Sequence, residues 1–386
     1  MKSLTKIGLA TVLFLTLAAC VQARKHKFVD GRIEGVSTIE ELDEAAVFSF
    51  AIMSDNKGDS PASKEEFARM VEWVKEAGDA FVIGLGDHVK KGWDNDFLPF
   101  LEENQWWQSN FYPNVADGEN EYYGESQADW GAGAPILDVA DLSSRPNVVI
   151  RENDCEYYAQ IEVGKYTVHL VQLHYSDNPA DDTIAFREDS RDYLIRTLEE
   201  IDKGKRDIII VGAHSRDGFW ADELSTERQK VVVEKADLVL SATTHFFVQD
   251  YLPHYEATGA LCINTGSITH PNSYCPYGYV QVHVLKKPFS MVVQYVNAAR
   301  PEREMQHHEY SYVKLIDGPI VETEFRDVRP EEDMVVVVGV LTEAYSDDAM
   351  HGLARELYLE ATGAENTYIN VAGGLPKGEV TLRDLW

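Results

Sequence analysis

From residue 45 the sequence alternates short apolar runs with amphipathic stretches, and this alternation limits the possible folds more than any other feature. Ala45–Met53 is predicted as a strand, Ser63–Glu76 as a helix opening on a Ser-x-x-Glu capping box, and Ala80–Leu85 as the next strand, which gives a β-α-β unit. Further strands are expected at Tyr157–Val163, Tyr166–His174, Asp207–Val211, Leu238–Ser241, Leu261–Asn264, Tyr279–Leu285 and Phe289–Val296. Helices are expected at Ser190–Lys203 and Thr226–Lys235, each just before a strand. Short buried strands separated by helices imply a layered α/β fold, and the run from Leu261 to Val296 predicts a second sheet that ends in antiparallel strands.

In open α/β sheets, ligands gather at the carboxyl ends of strands. Five residues occupy such places: Asp55, Asp87 in Gly86-Asp87-His88, Asn120 in Gly118-Glu119-Asn120-Glu121, His214, and His245. Taken singly, an aspartate after a strand is most often a turn former or a helix cap. As an ordered set of carboxylate, amide and imidazole groups, the five suit one or two Mn, Zn or Fe ions and the hydrolytic chemistry such ions support.

The order of these motifs resembles the calcineurin-like metallophosphoesterases over approximately residues 45–296. The resemblance implies a four-layer α/β/β/α sandwich holding two metal ions about 3.5–4 Å apart. Asp87 would bridge them, Asp55 and His245 would serve one ion, and Asn120 and His214 the other. Lys57 stands where that family places the histidine of Asp-x-His, and Thr243 where it places the first histidine of Gly-His-x-His. Each ion would therefore lack one imidazole. Lys57 places an ammonium where a cation would sit and can neutralise the carboxylates without a metal. Alternatively, His88 or His174 supplies a replacement nitrogen. Glu121 is a candidate proton donor to a leaving alkoxide, provided its pKa is raised. Arg216 is a candidate phosphate contact, its alternative being a salt bridge to one of the many carboxylates. Aromatic residues including Trp93, Trp106, Trp107, Phe111 and Tyr112 either stack on a nucleobase or pack as an insertion on the sandwich.

A formal net charge of −30 argues against binding nucleic acid polymers and leaves metal ions as the natural source of positive charge at a site for phosphate. The expected substrate is a small phosphate ester. The first 20 residues read as an export signal, with Leu17-Ala18-Ala19-Cys20 resembling the lipobox of bacterial lipoproteins. Cys20 would then be lipidated, residues 21–44 would form a tether, and the chain would be a periplasmic or cell-surface lipoprotein that meets the membrane through its anchor alone. Cleavage after Ala23 is the alternative. Of the remaining cysteines, Cys262 and Cys275 could pair in an oxidising compartment, leaving Cys155 over, although spacing does not choose that pairing.

Residues 45–300 are expected to form the main domain and 301–333 a linker. Residues 334–386 are expected to form a strand-helix-strand unit ending in a glycine turn at Gly373-Gly374. This small partial α/β unit resembles the opening of the 5′-nucleotidase C-terminal domain. That family's domain contributes nucleotide-binding residues, so the likeness favours nucleotides as substrates. A half domain would leave a sheet edge that self-association could cover.

Overall fold

In Phe48–Met53, Phe48, Phe50 and Ile52 face one way and Ser49, Ala51 and Met53 the other, yet all six residues are buried. A strand covered on both faces needs a layer on each side, and the rest of the chain supplies both. The computed structural model describes residues 26–29, 32–57, 61–89, 97–115, 135–151, 156–174, 188–214, 226–245, 259–268 and 277–306, with shorter pieces at 176–178, 183–185, 247–250, 311–316, 318, 320–321, 337–341 and 378–381. The strands of the two principal sheets are β1 (Phe48–Met53), β2 (Val82–Gly84), β3 (Phe111–Tyr112), β4 (Val148–Ile150), β5 (Tyr157–Val163), β6 (Tyr166–Leu173), β7 (Asp207–Ala213), β8 (Leu238–Ser241), β9 (Phe247–Asp250), β10 (Leu261–Thr265), β11 (Gly278–Lys286), β12 (Phe289–Asn297), β13 (Ser311–Leu315) and β14 (Ile320–Val321). The helices are α1 (Ile39–Ala45), α2 (Pro61–Ala77), α3 (Phe97–Glu103), α4 (Gln105–Asn110), α5 (Pro135–Val139), α6 (Glu188–Glu200) and α7 (Thr226–Lys235).

One seven-stranded sheet runs β14-β13-β12-β11-β1-β2-β3, and the other runs β9-β10-β8-β7-β6-β5-β4. Strands β1, β2 and β3 are parallel, as are β6, β7, β8 and β10, while the remaining pairings are antiparallel. Phe50, Ile52 and Ile83 of one inner face meet Leu170, Ile208, Ile210 and Leu238 of the other. Met70, Trp73 and Val74 of α2 cover Ala51, Met53 and Val82 on one outer face. Leu194 and Leu198 of α6, with Val232 and Val233 of α7, cover Val171, Ile209 and Val239 on the opposite outer face. The result is a four-layer α/β/β/α sandwich, in which each fully buried aliphatic side chain contributes about 1.5–3 kcal/mol through removal from water.

Several expectations are corrected. The segment predicted as a tether is ordered from residue 26. Strand Phe28–Val29 pairs with Arg32–Ile33, and α1 follows. Ile33, Ile39 and Leu42 are buried against Leu285, Val292 and Val313, with Phe28 and Val36 partly buried beside them, so this stretch is part of the domain. The linker reading also fails, since β13 and β14 extend the first sheet past residue 300. The antiparallel run at 278–297 belongs to the first sheet, where β11 pairs with β1. A capping box closes on α1: Thr38 Oγ1 accepts from Glu41 N at 3.2 Å while Glu41 Oε2 accepts from Thr38 N. Helix α2 starts instead at Pro61, a residue suited to a first helical position. Trp107 and Phe111 are buried beside Phe97 and Leu101, which fits an insertion packed on the sandwich. In the C-terminal stretch, Val337–Leu341 pairs antiparallel with Gly378–Thr381, while the expected helix and second strand lie outside the described residues.

Candidate metal centre

The carboxyl ends of the parallel strands from both sheets meet along one rim. Beyond β1 lies Asp55, beyond β2 Asp87, beyond β3 Asn114, beyond β6 His174, beyond β7 His214, beyond β8 Thr243 and His245, and beyond β10 Ser267. Cross-sheet hydrogen bonds fix the two halves of the rim together. Asn114 Nδ2 donates to Leu173 O at 2.8 Å and to Gln172 Oε1 at 3.1 Å. Gln172 Nε2 donates to Gly84 O at 3.1 Å, and Ser267 Oγ donates to Asp55 O at 3.1 Å. These buried contacts set the distance between the β2 and β6 ends before any ligand arrives.

The backbone is strained at this rim. Five described non-glycine residues have positive φ, and four of them are Asp55 (52°), Asp87 (54°), Thr243 (66°) and His245 (60°). Aspartate tolerates the left-handed region, but a β-branched threonine there is costly. Strain of this kind gathers where a fold must aim side chains at one point.

Ligand atoms of Asp55, Asp87 and His214 all lie within 4.8 Å of one another, and all three residues are buried. His214 Nδ1 donates to Leu85 O at 2.7 Å, which directs Nε2 toward Asp87 Oδ2 at 3.7 Å. In the neutral tautomer these two atoms are both acceptors, an arrangement that a cation between them reconciles. His245 Nε2 instead donates to Asp55 Oδ1 at 3.0 Å, and Lys57 Nζ forms an ion pair with Asp87 Oδ2. Burial pushes the Asp55 carboxyl up. The hydrogen bond from His245 and the charges of His214, His245 and Lys57 outweigh that effect and hold it below its ordinary value.

Other predicted residues are placed differently. Both ring nitrogens of His88 are engaged, Nε2 accepting from Gly86 N at 3.0 Å and Nδ1 contacting Asn56 Oδ1, and burial pushes its pKa down to about 3. His88 is thus a neutral structural imidazole among the described contacts. His174 Nδ1 donates to Val115 O at 3.1 Å, and Thr243 Oγ1 donates to His214 O at 3.1 Å. Asn120, Glu121, Arg216 and Cys20 lie outside the described residues. Sequence reading missed Asn114, Gln172 and Ser267. Asn114 and Ser267 sit just past strands and fall under the same strand-end rule that found Asp55. Gln172, a lone polar residue inside an apolar strand, gave a weaker signal.

No protein-family model and no curated protein matches this sequence. Among solved structures, the chain is similar to GAP50, the anchor in the inner membrane complex of Plasmodium, at 13% identity over 72% of this chain and 90% of that one, with a TM-score of 0.43. It is also similar to a 5′-nucleotidase from Candida albicans at 12% identity, covering 87% of this chain and 71% of that one, with a TM-score of 0.37. A phosphoesterase from E. coli matches at 13% identity, covering 68% of this chain and 100% of that one, with a TM-score of 0.30. The four-layer architecture rests on the strand order and packing described above.

Proposed function

We propose that the chain is a metal-dependent phosphoesterase acting on small extracytoplasmic phosphate esters, nucleotides included, at the rim around Asp87. The observation that carries this reading is the buried cluster of Asp55, Asp87 and His214, with the His214 imidazole turned by the Leu85 carbonyl toward Asp87. Two carboxylates and one imidazole fit one divalent ion such as Mn, Zn or Fe. Such an ion would supply Lewis acidity toward a phosphoryl group and an attacking water. The chain's own residues hold the geometry. Ser267 ties down the Asp55 backbone, His245 orients the Asp55 carboxylate, and Leu85 sets the His214 ring. Asn120 as a further ligand, Glu121 as the acid and Arg216 as a phosphate contact belong to the same proposal.

The test is elemental analysis of chelator-free protein together with hydrolysis of a generic aryl phosphate in added Mn or Zn. We expect bound metal, and turnover that falls at least about a hundredfold in Asp87→Asn, a loss typical of removing one charge-stabilising group. Absence of metal and turnover equal to Asp87→Asn would refute the enzyme reading. The Lys57–Asp87 ion pair supports a second reading, a ligand- or partner-binding protein with little catalysis. Phosphate binding without turnover would select it.

Export belongs to the proposal as well. Lipidation of Cys20 would place the domain in the periplasm or at the cell surface, and Cys20→Ser should release it from the membrane fraction. The unit at 334–386 is proposed to self-associate, and a chain lacking it should sediment as a smaller species.

A further inference from the structure

Two sequence positions that would supply imidazoles under the resemblance hold other residues, and the structure shows what each does. Thr243 spends its hydroxyl on the His214 carbonyl. Lys57 reaches Asp87 Oδ2, the same carboxylate oxygen that faces His214 Nε2 at 3.7 Å. His88, the nearest spare imidazole in sequence, has both nitrogens engaged by Gly86 and Asn56. The lysine side chain is 20% exposed and its carboxylate partner 8%, so the lysine is the more exposed member of a mostly shielded pair.

We propose that Lys57 is the second cation of this centre, a tethered ammonium holding on Asp87 the charge position that a second divalent ion would need, so that the cleft carries one ion and one lysine. The inference rests on the metal-dependent reading above and extends it to stoichiometry and to phosphate recognition. An ammonium is a compact point charge that binds phosphate oxygens as well as carboxylates. A −30 chain gains from a cation that cannot dissociate, since any anionic substrate must enter against the field of the whole protein.

The experiment is calorimetric titration of the full chain with Mn²⁺, and separately with inorganic phosphate in saturating Mn²⁺. Wild type, Lys57→Gln, Lys57→Met and Lys57→Arg are compared. Wild type should bind one ion per chain. Either neutral variant should bind Mn²⁺ about tenfold tighter or better, because repulsion between the ammonium and the ion is removed even at water-like screening, while Lys57→Arg should stay near wild type. Phosphate should bind about tenfold more weakly to the neutral variants. Two ions in wild type, or Mn²⁺ affinities unchanged by Lys57→Gln and Lys57→Met, would overturn the role of Lys57 and leave the metal-dependent reading standing. No ion in any variant would instead overturn the metal-dependent reading itself.

Discussion

Asp55 and Asp79 are both buried carboxyl groups, yet their surroundings drive them in opposite directions. At the rim, burial of Asp55 is outweighed by the His245 hydrogen bond and the charges of His214, His245 and Lys57. On the outer face of the first sheet, burial pushes Asp79 up to about 7. Hydrogen bonds from Ser49 and Gln281 and the charge of Arg303 only partly oppose this. Arg303 is committed elsewhere. Its Nη1 donates to Gln281 Oε1 at 2.9 Å and its guanidinium pairs with Asp43, which also accepts from His283 Nε2 at 2.8 Å. His283 itself is kept below its ordinary pKa by burial, despite the Asp43 contact. Equal burial therefore gives unequal chemistry, and the number of cations within reach decides the outcome. The rim keeps the Asp55 carboxylate charged and ready for a ligand, whereas on the outer band burial pushes the Asp79 carboxyl up to about 7.

The comparison can be broken most forcefully at Arg303. Arg303→Met leaves Asp43 without its buried guanidinium partner, and urea unfolding should show a loss of about 3–5 kcal/mol. Asp79→Asn should act in the opposite sense. The folded pKa of Asp79 lies above its unfolded value of 3.8, so its contribution to stability is full below that value and is lost as pH rises through about 7. Thermal melts should find the variant more stable by about 2 kcal/mol at pH 8 and flatter between pH 4 and 8. Parallel curves for the two proteins would sink this account of Asp79.

Asp55→Asn sharpens the contrast, since Asp55 is depressed in the folded state. Its contribution is present above the unfolded value of 3.8 and is lost as pH falls through the lower folded pKa. In metal-free protein the substitution should destabilise by about 1–2 kcal/mol at neutral pH, with the difference fading in acid. Asparagine tolerates the left-handed backbone at this position, so strain does not confuse the result. The smallest effect is expected from Thr38→Ala, which removes the cap of the helix that carries Asp43. Chemical denaturation should register about 0.5–1 kcal/mol.

Much of the sandwich was legible because its strands are apolar on both faces and end in polar turns. The rim was legible for the same reason, with Asp55, Asp87, His214 and His245 all standing where a strand stops. The outer band was not. Gln281 and His283 alternate with Val280, Val282 and Val284, a pattern that reads as a strand with one face in water. That face is in fact buried, and what helps bury it is α1 and the segment carrying Arg303, two stretches that looked like tether and linker because they are polar. A polar surface covered by polar chain leaves no hydrophobic period to read. Gln172 escaped notice for a related reason: its amide bonds across the sheets to Gly84 and Tyr112, partners that local sequence cannot reveal.

The pairing of β13 onto β12 has a practical consequence for solubility. A chain cut at residue 300 would lose both Arg303 and the strand that covers β12, whose residues from Ser290 to Val296 are all buried. Its open edge would invite other copies to pair there and aggregate. An inactive preparation cut at that point would report on a damaged sheet and say nothing about the chemistry of Asp87.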